Sequence, residues 1–525
     1  MLNYGTQPEV LGPLTPAQRS MWVAQELLPE VPYNFAGYVA IDHDVDAERL
    51  MDACRSAATR FGTPCARLSL DDGEPVFMLD HSVPQTLQCI DLRAEFDPVA
   101  AARAWMDHDY RRPVDMVRDR LTDFVLLRIT DNLAYFYLRV HHVLLDGYGS
   151  YSFMRHVAEV YSGAAATTGE VDFSEFDLFR VADEKYRSSS RSQADAEYWQ
   201  NVLRGSPEVT DLSGRQRTVA PRHPLVRELA CPHRFDVARV VAAMAVFLAK
   251  TTGQQTVSLS LPVSARTTAA LKKCAGMVSN MVPLVIDVLD GDTIGALTDR
   301  VGTAVVGALR HQQFRGFPDI AGDGNRHDMN LEFGPTVNVL DFAAPLYFGS
   351  SEAIVNILSN FPIQDIAVNI YPQLGDGAPQ VHFAWNPDRY AADEIAGHIT
   401  RLESLFDRLL SADPSVVVGE VPLLGDDERA RLDLLGNRAM LVRPVAGESI
   451  PELFAAQVAR TPDAVAISCA ARSMSYRELD EASNRLAHLL VGLGASPGRC
   501  VAVMFSRSAE AIVAILAVLK SGAAY

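Results

Sequence analysis

Residues 141–147 read His-His-Val-Leu-Leu-Asp-Gly, directly after an apolar run. Two imidazoles and a carboxylate within seven residues bring a proton acceptor that works at neutral pH together with an anion. Neighbouring side chains on a strand point to opposite faces. At a strand end one histidine can therefore face the core while the other faces a cleft. Asp146 enters a loop that leads into a helix, and Gly147 removes side-chain bulk, so that a substrate could approach the backbone closely. The same residues also fit a bland role. A strand histidine is usually hydrogen-bonded within the fold, and Asp146 could serve only as a helix cap, worth ~1 kcal/mol.

The flanking sequence predicts the elements that hold this segment. Residues 121–130 and 133–140 are rich in apolar, aromatic and β-forming side chains, with Asp131-Asn132 as a hairpin turn between them. Residues 148–161 read as a helix, so the unit is strand, short loop, helix. Upstream, Thr15 can cap a helix whose first residue is Pro16. A strand over 37–41 and a helix over 46–60 follow, the latter with Leu50, Ala53, Cys54 and Ala57 on one face. Residues 163–192 are polar and broken, a connection between two lobes. A second lobe carries helices at 235–252, 294–312 and 391–410, and strands at 256–261, 282–288, 336–340, 363–370 and 380–385. Mixed strands and helices in both halves predict an α/β class, built as α+β two-layer sandwich lobes. Residues 411–450 look loop-rich, and a new helix–strand–helix pattern starts at Pro451.

Composition narrows the function. The 525 residues carry 47 Lys and Arg against 65 Asp and Glu, a formal net charge of −18. That excludes general nucleic-acid binding, which needs a basic face, and anchoring to anionic lipid. The seven cysteines are scattered without a CxxC pair, which suggests neither a disulfide framework nor a zinc site. No basic start followed by an apolar run opens the chain, and the apolar stretch 511–520 is too short to span a bilayer. These features predict a cytoplasmic protein that binds no metal.

HHxxxDG at the end of an apolar strand resembles the motif of nonribosomal peptide condensation domains, relatives of chloramphenicol acetyltransferase. Further segments follow in that family's order. Thr15-Pro16-Ala17-Gln18-Arg19-Ser20-Met21-Trp22 resembles the opening motif, with its arginine shifted to Arg19 as in starter-like members. Gly276-Met277-Val278-Ser279-Asn280 resembles the G-x-x-x-N motif, Arg310-His311-Gln312 the H-Q segment, and Phe333-Gly334-Pro335-Thr336-Val337-Asn338 the latch strand. The family's R-H-E-x-L-R motif is reduced here to Arg60 in Arg60-Phe61-Gly62-Thr63-Pro64-Cys65, and the tyrosine-rich motif between the lobes is weak. Near the end, Met474-Ser475-Tyr476-Arg477-Glu478-Leu479 and Leu519-Lys520-Ser521-Gly522-Ala523-Ala524-Tyr525 resemble the first two motifs of adenylation domains. The sequence stops short of that family's phosphate loop, so no adenylation activity is expected.

The resemblance implies a V-shaped pseudo-dimer of two chloramphenicol-acetyltransferase-like lobes with a tunnel between them. Its boundaries are a leader at 1–13, an N-lobe at 14–178, a C-lobe at 179–428, a linker at 429–450 and an adenylation fragment at 451–525. Two carrier domains would each deliver a phosphopantetheine thioester, and the domain itself would bind no cofactor. His142 is the implied working imidazole, as base or as orienting group, and His141 faces inward. Asp146 pairs with Arg266, Gly147 keeps the tunnel open, Arg19 and Asn280 give structural support, and Ser279 and Asn338 line the tunnel or latch. With only a short leader before the first motif, the donor is expected from a separate carrier protein and the acceptor from a carrier of the same synthetase. A monomer of the enterobactin-synthase type, in siderophore biosynthesis, is the implied setting; a standard chain-elongating domain fits equally. The rival readings are an epimerase, which does not normally precede an adenylation domain, a heterocyclase, which has aspartates in place of both histidines, a non-catalytic docking platform, and a free-standing acyltransferase using coenzyme A.

Overall fold

A computed structural model describes residues 9–62, 66–79, 87–166, 174–204, 212–213, 222–229, 236–317, 333–340, 344–359, 361–371, 380–442, 447–469 and 472–525. The chain divides into two compact units, residues 1–425 and 426–525.

In the first unit, helix α1 (Pro16–Leu27) opens on a capping box in which Thr15 and Gln18 satisfy each other's backbone amides. Strand β1 (Asn34–Ile41) and helix α2 (Ala47–Phe61) follow, and α2 is capped by Asp46 and stopped by Gly62 at φ 65°. Strand β2 (Gln88–Asp91) and helix α3 (Pro98–Tyr110), which lay outside the sequence expectation, precede the hairpin β3 (Thr122–Thr130) and β4 (Leu133–His141). Helix α4 (Gly147–Tyr161) completes the expected strand–loop–helix unit. Even-numbered β4 residues, from Ala134 to Val140, join a core shared with α2 and α4. Tyr135 and Tyr137 join a second core under α3. The period of two thus places His141 on the α3 face of the sheet.

The described residues of 163–192, a stretch read from sequence as polar and broken, are largely helical. They contain helix α5 (Ser174–Arg187) and the start of α6 (Ser190–Leu203). The serine cluster at 188–190 marks the break between α5 and α6, where the Ser189 hydroxyl accepts from the Ser192 amide and caps α6.

The second lobe is built on a six-stranded sheet. Its strands are β5 (Leu225–Leu229), β6 (Thr256–Val263), β7 (Asn280–Asp287), β8 (Thr336–Val339), β10 (Ile366–Tyr371) and β11 (Gln380–Trp385), in the order β7-β6-β8-β10-β11-β5. Helices α7 (Val237–Thr252), α8 (Ile294–Arg310) and α9 (Ala392–Ser411) share an apolar core with it. Strand β9 (Asn356–Ser359) leaves this lobe and pairs antiparallel with β1, giving the first sheet the order β9-β1-β4-β3-β2.

The second unit begins with helix α10 (Asp426–Leu435), inside a stretch read from sequence as loop. Three acids in its first turn complement the helix dipole. Helices α11 (Ile450–Arg460) and α12 (Tyr476–Gly492) each start on a Ser/Glu capping box, and α13 (Ala509–Lys520) ends with the Lys520 ammonium 2.7 Å from Asp480 Oδ1. No described helix is long and apolar enough to cross a membrane.

Candidate active site

The segment from His141 to Gly149 links β4 to α4, and hydrogen bonds fix the protonation of both its histidines. The Val143 amide donates to His141 Nδ1 at 3.1 Å, so the proton of a neutral His141 ring sits on Nε2, which donates to Gln25 Oε1 at 3.1 Å. Gln25 is oriented in turn by its amide nitrogen, which donates to the carbonyls of Leu28 and Val31, each at 3.1 Å. His141 is fully buried. Burial above all, with repulsion from His142 and Arg139, takes its pKa down to about 3. It is a neutral tie between β4 and the end of α1.

His142 is the opposite tautomer. The Leu145 carbonyl, 3.1 Å from Nδ1, can only accept, so Nδ1 carries a proton and, in the neutral ring, Nε2 is an acceptor. The His142 amide donates to Tyr33 O at 2.8 Å, which sets where the backbone leaves the sheet. The ring keeps 5% of its surface exposed, and the Phe361 ring meets it edge-on at 5.5 Å.

Asp146 caps α4 through the Gly149 amide at 2.8 Å and reaches across to the second lobe. Arg266 grips it with two parallel bonds, Nη1 to Oδ2 at 2.7 Å and Nη2 to Oδ1 at 3.0 Å. The amides of Val278 and Ser279 add bonds to Oδ2 at 3.0 and 2.8 Å. Burial raises the carboxyl pKa, but the Arg266 charge and these donors outweigh it and leave it below the ordinary value. Arg266 also donates to Gly276 O at 2.9 Å and lies over the Tyr148 ring at 4.6 Å.

The other expected residues divide. Ser279 and Asn280 lie in the loop that receives Asp146, and Asn280 Nδ2 donates to Gln312 O at 2.9 Å and Phe314 O at 2.6 Å. Asn338 instead pairs with Asn369 at 3.1 Å within the second sheet. Arg19 is not brought to the motif: it forms an exposed ion pair with Glu74 at 2.9 Å, because it sits on the outer face of α1. Gly147 is the first residue of α4, and at Gly149, two residues on, the backbone of the second lobe comes close. A Cβ there would lie 3.0 Å from the Gly276 amide nitrogen. A Cβ on Gly276 would lie 2.2 Å from the Phe179 ring. Thr63, Pro64 and Cys65 lie outside the described residues.

Beside the Asp146 loop is a cavity of about 50 Å³ whose lining includes Ala17, Phe179, Asp183, Met277, Val278 and Arg315. His142 is not in its wall, so this cavity is not the expected tunnel past the ring; Phe361 occupies one side of His142 instead. Gln25, Gly149, Gly276, Arg315 and Phe361 join the surroundings of the motif without having been singled out in the sequence. Only Gly276 belonged to a recognised segment.

The chain is similar to known proteins. Residues 11–433 match the condensation-domain model over most of the chain. The chain belongs to the condensation-domain family. That makes residues 11–433 an acyltransferase domain of the kind that forms amide bonds in nonribosomal peptide synthetases. Residues 454–525 match the AMP-binding enzyme family. An isonitrile lipopeptide synthase of Streptomyces coeruleorubidus is 32% identical over 98% of this chain and 35% of its own length. Enterobactin synthase component F of Escherichia coli is 28% identical over 98% of this chain and 41% of its own. Across three such relatives the chain spans about a fifth to two fifths of their length. Among solved structures, a mutant starter condensation domain of rhizomide synthetase, in complex with C8-CoA and Leu-SNAC, superposes with a TM-score of 0.71 at 28% identity, covering 80% of this chain and 98% of its own. The first condensation domain of the calcium-dependent antibiotic synthetase reaches 0.70 at 29%, covering 80% and 100%. The two-lobed chloramphenicol-acetyltransferase-like fold expected from the sequence is therefore the fold of this chain.

Proposed function

We propose that this condensation domain joins a donor acyl group to the amine of an acceptor aminoacyl group, both delivered as phosphopantetheine thioesters on carriers, with His142 at the reacting amine. The observation that carries this reading is the tautomer of His142, whose Nδ1 proton is committed to Leu145 O so that Nε2 accepts. The amine nitrogen attacks the thioester carbonyl, its proton passes to Nε2, the C–S bond breaks, and the donor thiolate takes a proton on leaving. An α-amino group has a pKa of ~7.7–8.0, so part of it is already neutral at pH 7. Holding two tethered reactants in line is worth ~7–11 kcal/mol at best, against ~10²–10⁴-fold from proton transfer. Positioning therefore dominates, and His142 orients the amine as well as accepting its proton.

Asp146, Arg266, Gly147, Ser279 and Asn280 act as framework for the His142 loop, within a domain of N-lobe 14–178 and C-lobe 179–428. Linker 429–450 and adenylation fragment 451–525 complete the proposed boundaries. The proposal extends to a donor carrier from a separate protein, an acceptor carrier of the same synthetase and a monomeric cytoplasmic protein; its starter role is supported by the rhizomide starter domain, and its likeness to the enterobactin type by the enterobactin relative. A siderophore product rests on the latter alone. The C8-CoA in the rhizomide structure supports a second reading, in which the donor is acyl-coenzyme A.

Intact-protein mass spectrometry after one turnover separates the two. Transfer of the acyl mass onto the loaded acceptor carrier from a donor carrier, but not from acyl-coenzyme A, supports the proposal. Transfer from coenzyme A alone favours the second reading, and an unchanged acceptor mass with both donors rules out both.

A further inference from the structure

Among the described residues, the loop between β6 and β7 supplies what the second lobe gives to Asp146: the Arg266 side chain, the amides of Val278 and Ser279, and the Gly276 carbonyl, which accepts from the Asp146 amide at 3.2 Å. One short segment after α8 holds that loop at both ends. At its start, the Ala265 amide donates to Gln312 Oε1 at 2.8 Å. Ala265 has φ 51°, a left-handed conformation that costs a residue with a Cβ ~1–2 kcal/mol, so it needs an external tie. Arg266 follows immediately, and its direction depends on that backbone.

At the far end, Arg315 Nη1 donates to Ser279 O at 3.1 Å and to Asn280 Oδ1 at 3.2 Å. Its Nη2 donates to Ser279 O at 3.0 Å and to Val278 O. The Val278 carbonyl and the Ser279 amide belong to one peptide group. That group receives a cation on its oxygen and donates its N–H to the Asp146 carboxylate at 2.8 Å. Charge on one side of a peptide polarises it toward the other, so the two bonds reinforce each other. Four of the five Arg315 N–H groups are thus spent on this loop, and no described carboxylate lies within ion-pair distance of its guanidinium. It is arranged as a backbone clamp.

We propose that Gln312 and Arg315 are positioning residues that hold the 264–280 loop in register with Asp146 and so fix the placement of the His142 loop. The consequence for turnover rests on the condensation reading, whereas the consequence for the loop does not. Hydrogen bonds to a charged donor contribute ~1.5–3 kcal/mol, or roughly ten- to a hundredfold in a local opening equilibrium.

The test is amide hydrogen exchange on the whole chain, for wild type, Arg315→Ala, Arg315→Lys and Gln312→Ala, with condensation kinetics alongside. Arg315→Ala should speed exchange at Val278, Ser279 and Gly149 about tenfold or more, leaving β3 and β4 unchanged. It should also lower kcat with little change in carrier KM, and Arg315→Lys should restore part of both. Gln312→Ala should act at Ala265 and Arg266, which keeps the proposal testable if Arg315→Ala does not fold. Unchanged exchange in both alanine variants overturns it. A wild-type protein that forms no amide, with variants that still show these exchange changes, keeps the brace and refutes the condensation reading.

Discussion

The two ends of the His141–Gly149 segment are held by different physics. The aspartate end is charged and crosses to the second lobe, where Asp146 meets a bidentate arginine and two backbone amides from a loop more than a hundred residues further along the chain. At the histidine end the hydrogen bonds of His141 Nε2 and His142 Nδ1 stay within the first lobe, where the buried, neutral His141 ties β4 to Gln25 and His142 donates to Leu145. A carboxylate with saturated lone pairs is a lock. An imidazole whose tautomer is set by one carbonyl is a tool held at a fixed angle. On the proposed reading, this difference puts integrity at one end and chemistry at the other.

Substitutions can break that contrast, and the largest effect is expected at the lock. Asp146→Ala leaves the Arg266 charge buried without its partner, at a cost of ~3–5 kcal/mol in unfolding free energy by urea titration. A loss below ~1 kcal/mol would place Asp146 among ordinary caps. Next comes Gly276→Ala. Its new Cβ would sit against the Phe179 ring, and overpacking of this kind costs ~1–3 kcal/mol, checked as a lower unfolding midpoint with unchanged m-value. His141→Leu strands the Gln25 acceptor and the Val143 amide and should cost ~1–3 kcal/mol by the same titration.

The last effect is a slope, gradual per pH unit. His141 has its pKa depressed to about 3, so between pH 6.5 and about 3 the unfolded chain binds a proton that the folded chain does not. Stability must therefore fall as pH drops through that window, by at most about 1.4 kcal/mol per pH unit for this group. His156 and His223, both lowered to about 4, push the same way. Wild type should lose stability more steeply than His141→Leu below pH 6.5, and equal slopes would mean that His141 is not held neutral.

Local signals made much of this fold legible. Thr15, Pro16 and Gln18 announce α1, and alternation through β3 and β4 leads directly to the histidines. The Asp146–Arg266 pair was legible only by resemblance, since nothing near Arg266 in the chain points to residue 146. Gln25, Arg315 and the Gly149–Gly276 approach were not legible, because each acts through a partner far away in sequence or through backbone atoms that every residue has. Arg19 misled for the complementary reason: its place in a motif says nothing of the helix face it occupies, and that face is exposed. The serines at 188–190 show the same limit, because the residue type that breaks one helix caps the next.

The central claim is that His142 does chemistry while Asp146 maintains structure. It is tested most directly by single-turnover amide formation with His142→Ala on preloaded carriers, alongside the thermal midpoint of the same sample. The account predicts a rate lower by ~10²–10⁴-fold with the midpoint nearly unchanged. A wild-type rate in the folded variant, or a midpoint that collapses as it does for Asp146→Ala, would contradict it.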